Sequence, residues 1–444
     1  MTLWTWSELV LACGVDQITS GPDISGISID TRTLAAGDLF IALSGDHRDG
    51  HEFVQLAEKS GASALLVSRG TDCSLPEIRR ENTLDGLWCL GEAGRHRMAG
   101  KVVAITGSSG KTTARSWLEN MLNQQAKTHA SIGSFNNHWG VPLSLARMPR
   151  DTEFGIFEIG MNRPGEVEPL SRLVNPDVAL VLNVLPAHLE SFDNIDSIRR
   201  EKLSITRGLN DDGVLVVHEN IDLEGVSHNN IVTFGYSESS TVSAQVSFEK
   251  NMTQVHFTID CKKYGFQLPT CGEHRVLTSL GCLAVVYALG ADLPRACESM
   301  AFMEPPTGRG NLLEVSGRFI IDDSYNANPV SMRYAIEALC QFQRGRKVAL
   351  LGEMLELGDE AKQLHTSILD ACGELDGVIT VGEGFANAKQ HLGDIHWGHH
   401  ASAADINLIE LAESLKEGDT ILVKGSNKVF WVNNFVEALH SALS

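Results

Sequence analysis

The 444-residue sequence contains no run of eighteen apolar residues, so no helical membrane span is expected. Its first residues, Met1-Thr-Leu-Trp-Thr-Trp6, carry no basic stretch leading into a long apolar core, and no signal peptide is expected either. Both absences point to the cytoplasm. Basic charge is in deficit: 36 Lys and Arg against 56 Asp and Glu give a formal net charge of -20, the wrong sign for a general nucleic-acid binder. Any anionic ligand must then be held locally, by backbone N–H groups, single Lys or Arg side chains, or a metal. The nine cysteines form no C-x-x-C pair and sit mostly in apolar contexts, such as Cys89 and Cys282, as expected of reduced, buried thiols. Internal repeats and low-complexity tracts are absent, and there is no G-x-G-x-x-G fingerprint to support a dinucleotide site.

What is present is a phosphate cradle. Residues 101–113 run from a short apolar strand into Thr106-Gly-Ser-Ser-Gly-Lys-Thr112 and Thr113. Gly107 and Gly110 permit the backbone angles that let successive N–H groups point at phosphate oxygens, and the following helix adds its positive end. Lys111 can reach terminal phosphates, and the Thr112 hydroxyl can ligate Mg2+. The helix is read from Ala114, Trp117, Leu118, Met121 and Leu122, which recur at the spacing of one buried face. One departure stands out: the general pattern G-x-x-x-x-G-K-[ST] has glycine where this chain has Ile105. The bland alternative is a glycine turn with an incidental lysine.

The length suggests about three domains. Residues 1–98 open with Thr5-Trp-Ser-Glu8, which has capping-box spacing, and continue into strand candidates at 38–42 and 64–67, a small α/β module. Residues 99–306 hold the phosphate loop and further apolar strands at 155–159, 178–183 and 213–217. Such continuous runs alternating with helical patterns predict a parallel sheet covered on both faces. After the linker Pro305-Pro-Thr-Gly308, strands at 318–322, 347–351, 377–381 and 420–424 alternate with helices, so residues 307–444 read as a Rossmann-like domain. The expected fold class is α/β in three domains: an N-terminal module, a central P-loop ATPase-like sheet and a Rossmann-like C-terminal domain.

Open α/β sheets place ligands at strand ends, and several polar residues stand there. Glu158 ends one apolar strand and His188 follows another. A carboxylate and an imidazole near a nucleotide suit a metal held largely by phosphates, while each alone also reads as a hydrogen-bonded structural residue. Lys202 reads from spacing as the exposed face of a helix. Asn136 and Asn137, with Gly140 and Pro142, read as a loop with substrate binding as one option.

Together these strings resemble the Mur ligases from end to end. The resemblance rests on Asp30-Thr-Arg32, Gly37-Asp-Leu-Phe40 and Asp49-Gly-His-Glu-Phe53 in the first block. In the second it rests on the phosphate loop, Phe135-Asn-Asn-His-Trp-Gly-Val-Pro142, Glu158-Ile-Gly160 and Ala187-His-Leu-Glu190. In the third, Asp322-Asp-Ser-Tyr-Asn-Ala-Asn-Pro329, Leu351-Gly-Glu-Met-Leu-Glu-Leu-Gly358 and Lys424-Gly-Ser426 match. The Asp-Ser-Tyr-Asn-Ala-Asn-Pro string discriminates most, because the sister ligase that adds the third amino acid differs there and carries an Asp-Asn-Pro-Arg motif absent here.

The resemblance implies an ADP-forming ligase of peptidoglycan precursor synthesis that uses ATP and Mg2+ and joins D-alanyl-D-alanine to UDP-N-acetylmuramoyl-tripeptide. It implies that Lys111, Glu158, His188 and Lys202 are catalytic. Thr112, Glu158, His188 and a carbamoylated Lys202 are implied to serve the metal. Gly107, Ser108, Ser109, Gly110, Lys111, Thr112, Thr113, Arg309 and Asp323 are implied to hold ATP. Asn326, Asn328 and Ser426 would hold the dipeptide, and Asp30, Thr31, Arg32, Ser44 and Gly45 the UDP-sugar, with no membrane span, no nucleic acid and a monomer expected. Three departures bear on this transfer: Arg275 follows His274 where the family has an adenine-contacting Asn, Asn427 follows Ser426 where it has Arg, with Lys428 next, and Ser44 replaces a frequent Lys. The alternatives are a sister Mur ligase or folylpolyglutamate-type ligase adding one amino acid, and a nucleotide-binding regulator without ligation.

Overall fold

The computed structural model describes residues 2–15, 20–45, 48–249, 252–268, 272–342 and 345–444. Its α/β chain builds three sheets in succession. The first has four parallel strands in the order Gly26–Ser28, Asp38–Ile41, Ala64–Val67 and Glu77–Arg79. Ahead of it the helix Trp6–Ala12 starts on the expected capping box, with Thr5 and Glu8 satisfying each other's backbone N–H groups.

The second sheet has nine strands. Lys101–Thr106 lies between Phe154–Glu158 and Val178–Val181, all parallel, with Thr128–Ala130 beyond the former and Val214–His218 beyond the latter. The connection order therefore reverses at Lys101–Thr106, the place where a crevice opens beyond the carboxyl ends of the strands. The phosphate loop and the segment after Val181 both emerge there. The expectation of a wholly parallel central sheet needs correction: Met252–Ile259 and Lys262–Leu268 extend the sheet antiparallel to their neighbours. Along Met252–Ile259 buried residues alternate with more exposed ones, the period-2 signature of a sheet with one packed face, unlike the continuous apolar runs of the parallel strands.

The third sheet is ordered Asn311–Val315, Arg318–Asp323, Thr420–Lys424, Lys347–Gly352, Gly377–Val381 and His396–His400. Its first pair is an antiparallel hairpin turned by Ser316 and Gly317, both at positive φ as a tight primed turn requires, and the remaining pairings are parallel. Insertion of Thr420–Lys424 between Arg318–Asp323 and Lys347–Gly352 makes a second reversal point, so Asp323 and Lys424 end as register partners.

The helix Lys111–Asn123 buries Ala114, Trp117, Leu118, Met121 and Leu122, as its spacing predicts. Ile105 explains itself here. It is fully buried within the strand, pairing with Glu158 on one side and Leu180 on the other, and packs in the core rather than in the loop. All eight described cysteines are free; Cys282 is buried, whereas Cys89 is only half-buried.

The first and second blocks meet through the helices Thr83–His96 and Gly140–Ala146. Gly91 and Gly94 allow that approach: a Cβ at Gly94 would fall 2.4 Å from the Leu145 carbonyl oxygen, and one at Gly91 2.9 Å from the Pro142 backbone. Backbone cannot yield as a flexible side chain can, so Gly94→Ala is expected to part the helices and cost about 1–3 kcal/mol. Chemical denaturation checks this; an unchanged midpoint would contradict it.

Candidate active site

The phosphate loop is held from one side by the segment following Val181. The Asn183 amide brackets Ser109, accepting from its N–H at 3.0 Å and donating to its carbonyl at 3.2 Å. The Ser108 hydroxyl donates to the Leu185 carbonyl and accepts from the Leu185 N–H, each at 2.9 Å. Gly110 takes the left-handed conformation (φ 80) at the cap of Lys111–Asn123, so the loop turns directly into the helix. Lys111 Nζ donates to the Gly107 carbonyl at 2.8 Å, folded back over the loop. Burial pushes its pKa down, Glu158 opposes that and Arg309 reinforces it.

Glu158 is buried, 1% exposed, at the end of its strand. One carboxylate oxygen accepts from Thr112 Oγ1 at 2.9 Å and the other from Asn136 Nδ2 at 2.7 Å. Asn136 thus serves the site by orienting Glu158. The Asn137 side-chain oxygen accepts from the Gly140 N–H at 2.9 Å, just ahead of the next helix.

Lys202 requires a correction. The spacing placed it on an exposed helix face, but it is 2% exposed in Ile195–Leu203, and its Nζ has Met161 Sδ at 3.7 Å. Burial, aided by Lys111, holds its pKa well below the usual lysine value. The signal was masked because Arg199 and Lys202 are buried while the charged neighbours Asp196 and Arg200 on the same helix stay exposed, Arg199 pairing with Asp196 and donating to the Asp222 carbonyl. His188 stands at φ 56, and its Nδ1 lies 2.8 Å from Glu356 Oε2 of the C-terminal block. Burial and Lys111 lower its pKa against the opposing pull of Glu356.

A cavity of about 1080 Å3 lies between the second and third sheets. Its walls bring together 108–113, Asn136, Asn137, Glu158 and His188 from one side and Arg309, Asp323, Asn326, Asn328 and Ser426 from the other. Asp323 accepts from Lys424 Nζ at 2.7 Å, and Lys424, fully buried, also donates to the Asn326 carbonyl at 3.1 Å. The guanidinium of Arg309 lies 4.2 Å from the Tyr325 ring centroid, and the Tyr325 hydroxyl is bonded to Ser134 at 2.9 Å. Asn328 spends its side-chain oxygen capping the helix Pro329–Cys340. Ser426 Oγ accepts from the Leu355 N–H at 3.0 Å.

Sequence reading missed Asn183, Lys424, Tyr325 and Glu356 as members of this site. A lysine ending the apolar strand Thr420–Lys424 was the available signal for Lys424; the others are known only by their contacts. Arg275, in place of the expected Asn, donates to the Gly310 carbonyl at 2.7 Å, and His274 stacks on Tyr334 at 5.4 Å. Asn427 and Lys428 are exposed at the cavity rim. Asp30, Thr31, Arg32, Ser44 and Gly45 do not line this cavity. They lie on the first block, where Arg32 pairs with Asp30 at 2.5 Å and Ser44 donates to Asp49 at 3.1 Å.

Mg2+ is a hard cation that takes oxygen donors. Among the described residues no three His, Cys, Asp or Glu side chains cluster as a closed protein cage. One buried carboxylate beside a threonine hydroxyl and a phosphate loop instead fits an ion that takes much of its shell from phosphates and water.

Comparison with known proteins finds similarity along nearly the whole chain. Residues 105–286 match the Mur ligase middle domain, 308–427 the glutamate ligase domain of Mur ligases, and 23–84 the Mur ligase family catalytic domain. The chain is 33% identical to UDP-N-acetylmuramoyl-tripeptide–D-alanyl-D-alanine ligase of Bacillus subtilis (strain 168), across 91% of this chain and 90% of that one. Among solved structures it superposes on MurF from Acinetobacter baumannii with a TM-score of 0.88 and 31% identity, covering 99% of both chains. It also matches MurF ligase from Thermotoga maritima in complex with ADP, with a TM-score of 0.82 and 29% identity over 94% of this chain and 97% of that one. A phosphate loop, a strand-end carboxylate and a facing C-terminal block in one cavity, with similarity along nearly the full length, make this chain a member of the Mur ligase family.

Proposed function

We propose that the chain is an ATP-dependent, ADP-forming ligase that joins D-alanyl-D-alanine to UDP-N-acetylmuramoyl-tripeptide in peptidoglycan precursor synthesis. The observation that carries this reading is the shared cavity: the phosphate loop and the Asp323, Asn326 and Ser426 group line one space from opposite sides. Residues 1–98 serve the UDP-sugar through Asp30, Thr31, Arg32, Ser44 and Gly45, residues 99–306 bind ATP, and residues 307–444 receive the dipeptide. A monomer acting in the cytoplasm, where nucleotide-linked precursors and ATP are found, belongs to the same reading. Among the described residues no helix is long and apolar enough to cross a membrane.

A carboxylate is a poor acyl donor until one of its oxygens becomes a leaving group. The carboxylate oxygen attacks the γ-phosphorus of ATP, the bond to the β,γ-bridging oxygen breaks, and ADP departs, leaving an acyl phosphate. The dipeptide amine then attacks the acyl carbon, loses a proton and expels inorganic phosphate. Attacking carboxylate and γ-phosphate repel one another, so the residues must supply positive charge and alignment rather than a nucleophile. Lys111, the loop N–H groups and Arg309 do this. When bound, Mg2+ held by Thr112, Glu158, His188 and carbamoylated Lys202 would supply further charge neutralisation on the phosphates. Arg309, Asp323 and the Tyr325–Ser134 contact bring the C-terminal block over the nucleotide and exclude water from the acyl phosphate.

Lys202 suits carbamoylation because only a neutral amine can attack CO2. The amine nitrogen bonds to the carbon of CO2 and releases a proton, turning a buried cation into an anion. Burial favours the neutral amine, and among the described residues the contact of its Nζ is Met161 Sδ at 3.7 Å rather than a carboxylate. Lys202→Ala is expected to lose most activity and to recover part of it with added formate or acetate; turnover like the parent's would contradict the carbamate role.

The assignment as a whole is tested by following product formation with D-alanyl-D-alanine and with single amino acids, supplying tripeptides ending in diaminopimelate or lysine. The dipeptide should be the preferred acceptor, and Lys111→Ala should abolish product while far-UV circular dichroism stays unchanged. Preference for a single amino acid would favour a sister ligase. Nucleotide binding without any product would favour a regulator.

A further inference from the structure

One contact in the cavity has no part in the roles above. Glu356 Oε2 lies 2.8 Å from His188 Nδ1, joining residues 168 positions apart on two different sheets. Glu356 follows the strand Lys347–Gly352 of the third sheet, and His188 follows Val178–Val181 of the second. Both are non-glycine residues in the left-handed region, at φ 61 and φ 56. Such backbones are uncommon and persist where surrounding structure enforces them.

The loop around Glu356 is anchored. Met354 and Leu357 are buried on either side, the Met354 N–H donates to His365 Nε2 at 2.9 Å, and the Leu355 N–H donates to Ser426 Oγ at 3.0 Å. Glu356 itself keeps a largely exposed side chain, so its direction is set by the loop and not by packing. An ordinary exposed ion pair contributes little. The distinguishing feature is that two enforced backbones aim these side chains at each other across the crevice.

An ionised carboxylate only accepts hydrogen bonds, so the partner Nδ1 must carry the hydrogen. The Nε2 lone pair of His188 is then left available. We propose that Glu356 is a positioning residue: it fixes the tautomer and ring direction of His188 so that Nε2 can serve Mg2+ or one of its waters, as carboxylates behind metal-bound histidines do. Because Glu356 rides on the C-terminal block, this part of the metal site is completed only when that block sits against the central one. Closure and metal affinity are therefore coupled, and by linkage the Mg2+-nucleotide favours the closed arrangement. The proposal rests on the reading of His188 as a metal-site residue.

The test uses the full chain without peptide substrates and measures ADP affinity by calorimetry across Mg2+ concentrations, for the parent, Glu356→Ala, Glu356→Gln and His188→Ala. In Glu356→Ala the Mg2+ concentration that half-saturates the gain in ADP affinity should rise about tenfold. His188→Ala should rise at least as far, while Glu356→Gln, whose amide oxygen still accepts from Nδ1–H, should rise less. ADP affinity without Mg2+ should be the same in all four. A parent-like Mg2+ dependence in Glu356→Ala beside a shifted His188→Ala overturns the proposal and leaves the His188 reading standing. Parent-like values in both overturn the two together. A loss of Mg2+-free ADP affinity in Glu356→Ala would show a general role in the fold and also overturn it.

Discussion

The buried carboxylate of Glu158 is the constraint around which the site is arranged. Thr112 holds one oxygen from the helix after the phosphate loop and Asn136 holds the other from a loop beyond the strand Thr128–Ala130. Two chain segments are thereby locked to one strand end. Both oxygens are engaged, so the buried carboxylate is not left without hydrogen-bond partners. That fixed negative charge opposes the burial-driven loss of charge on Lys111. A lysine retained beside a phosphate loop is the asset the chemistry needs.

Charge is distributed to the same end. The chain carries a net charge of -20, yet Lys111, Arg309 and Lys424 converge on one cavity in which Glu158 and Asp323 are already committed to partners. A cleft with low-dielectric walls strengthens every such interaction. The cations come from both sheets, because each sheet has its reversal point facing the same space. Lys424 is already paired with Asp323, so an anionic ligand bridging the two sides would engage Lys111 from one wall and Arg309 from the other, tying the proposed phosphoryl chemistry to closure of the C-terminal block.

The framework was largely legible in the sequence, for a physical reason. Strands buried on both faces read as continuous apolar runs, and those at 64–67, 377–381 and 420–424 were located to the residue. The antiparallel pair Met252–Ile259 and Lys262–Leu268 escaped because its alternation, half polar, lacks that mark. Within the site, motif residues carry their own spacing, so the phosphate loop, Glu158 and His188 could be named. Lys202 could not be placed, since charged neighbours at helical spacing look solvated whether or not the helix packs against another surface. Asn183 and Glu356 act through contacts between segments distant in sequence, which no local pattern encodes.

The central claim is that this cavity activates a carboxylate by moving a phosphoryl group onto it. The most direct measurement labels the terminal carboxylate of the UDP-N-acetylmuramoyl-tripeptide with 18O and follows the label by mass spectrometry after ligation. If an acyl phosphate forms, one labelled oxygen must leave with the phosphate, so the account predicts inorganic phosphate carrying a single 18O beside unlabelled ADP. Label appearing in AMP, or inorganic phosphate free of 18O while the amide product accumulates, would contradict it.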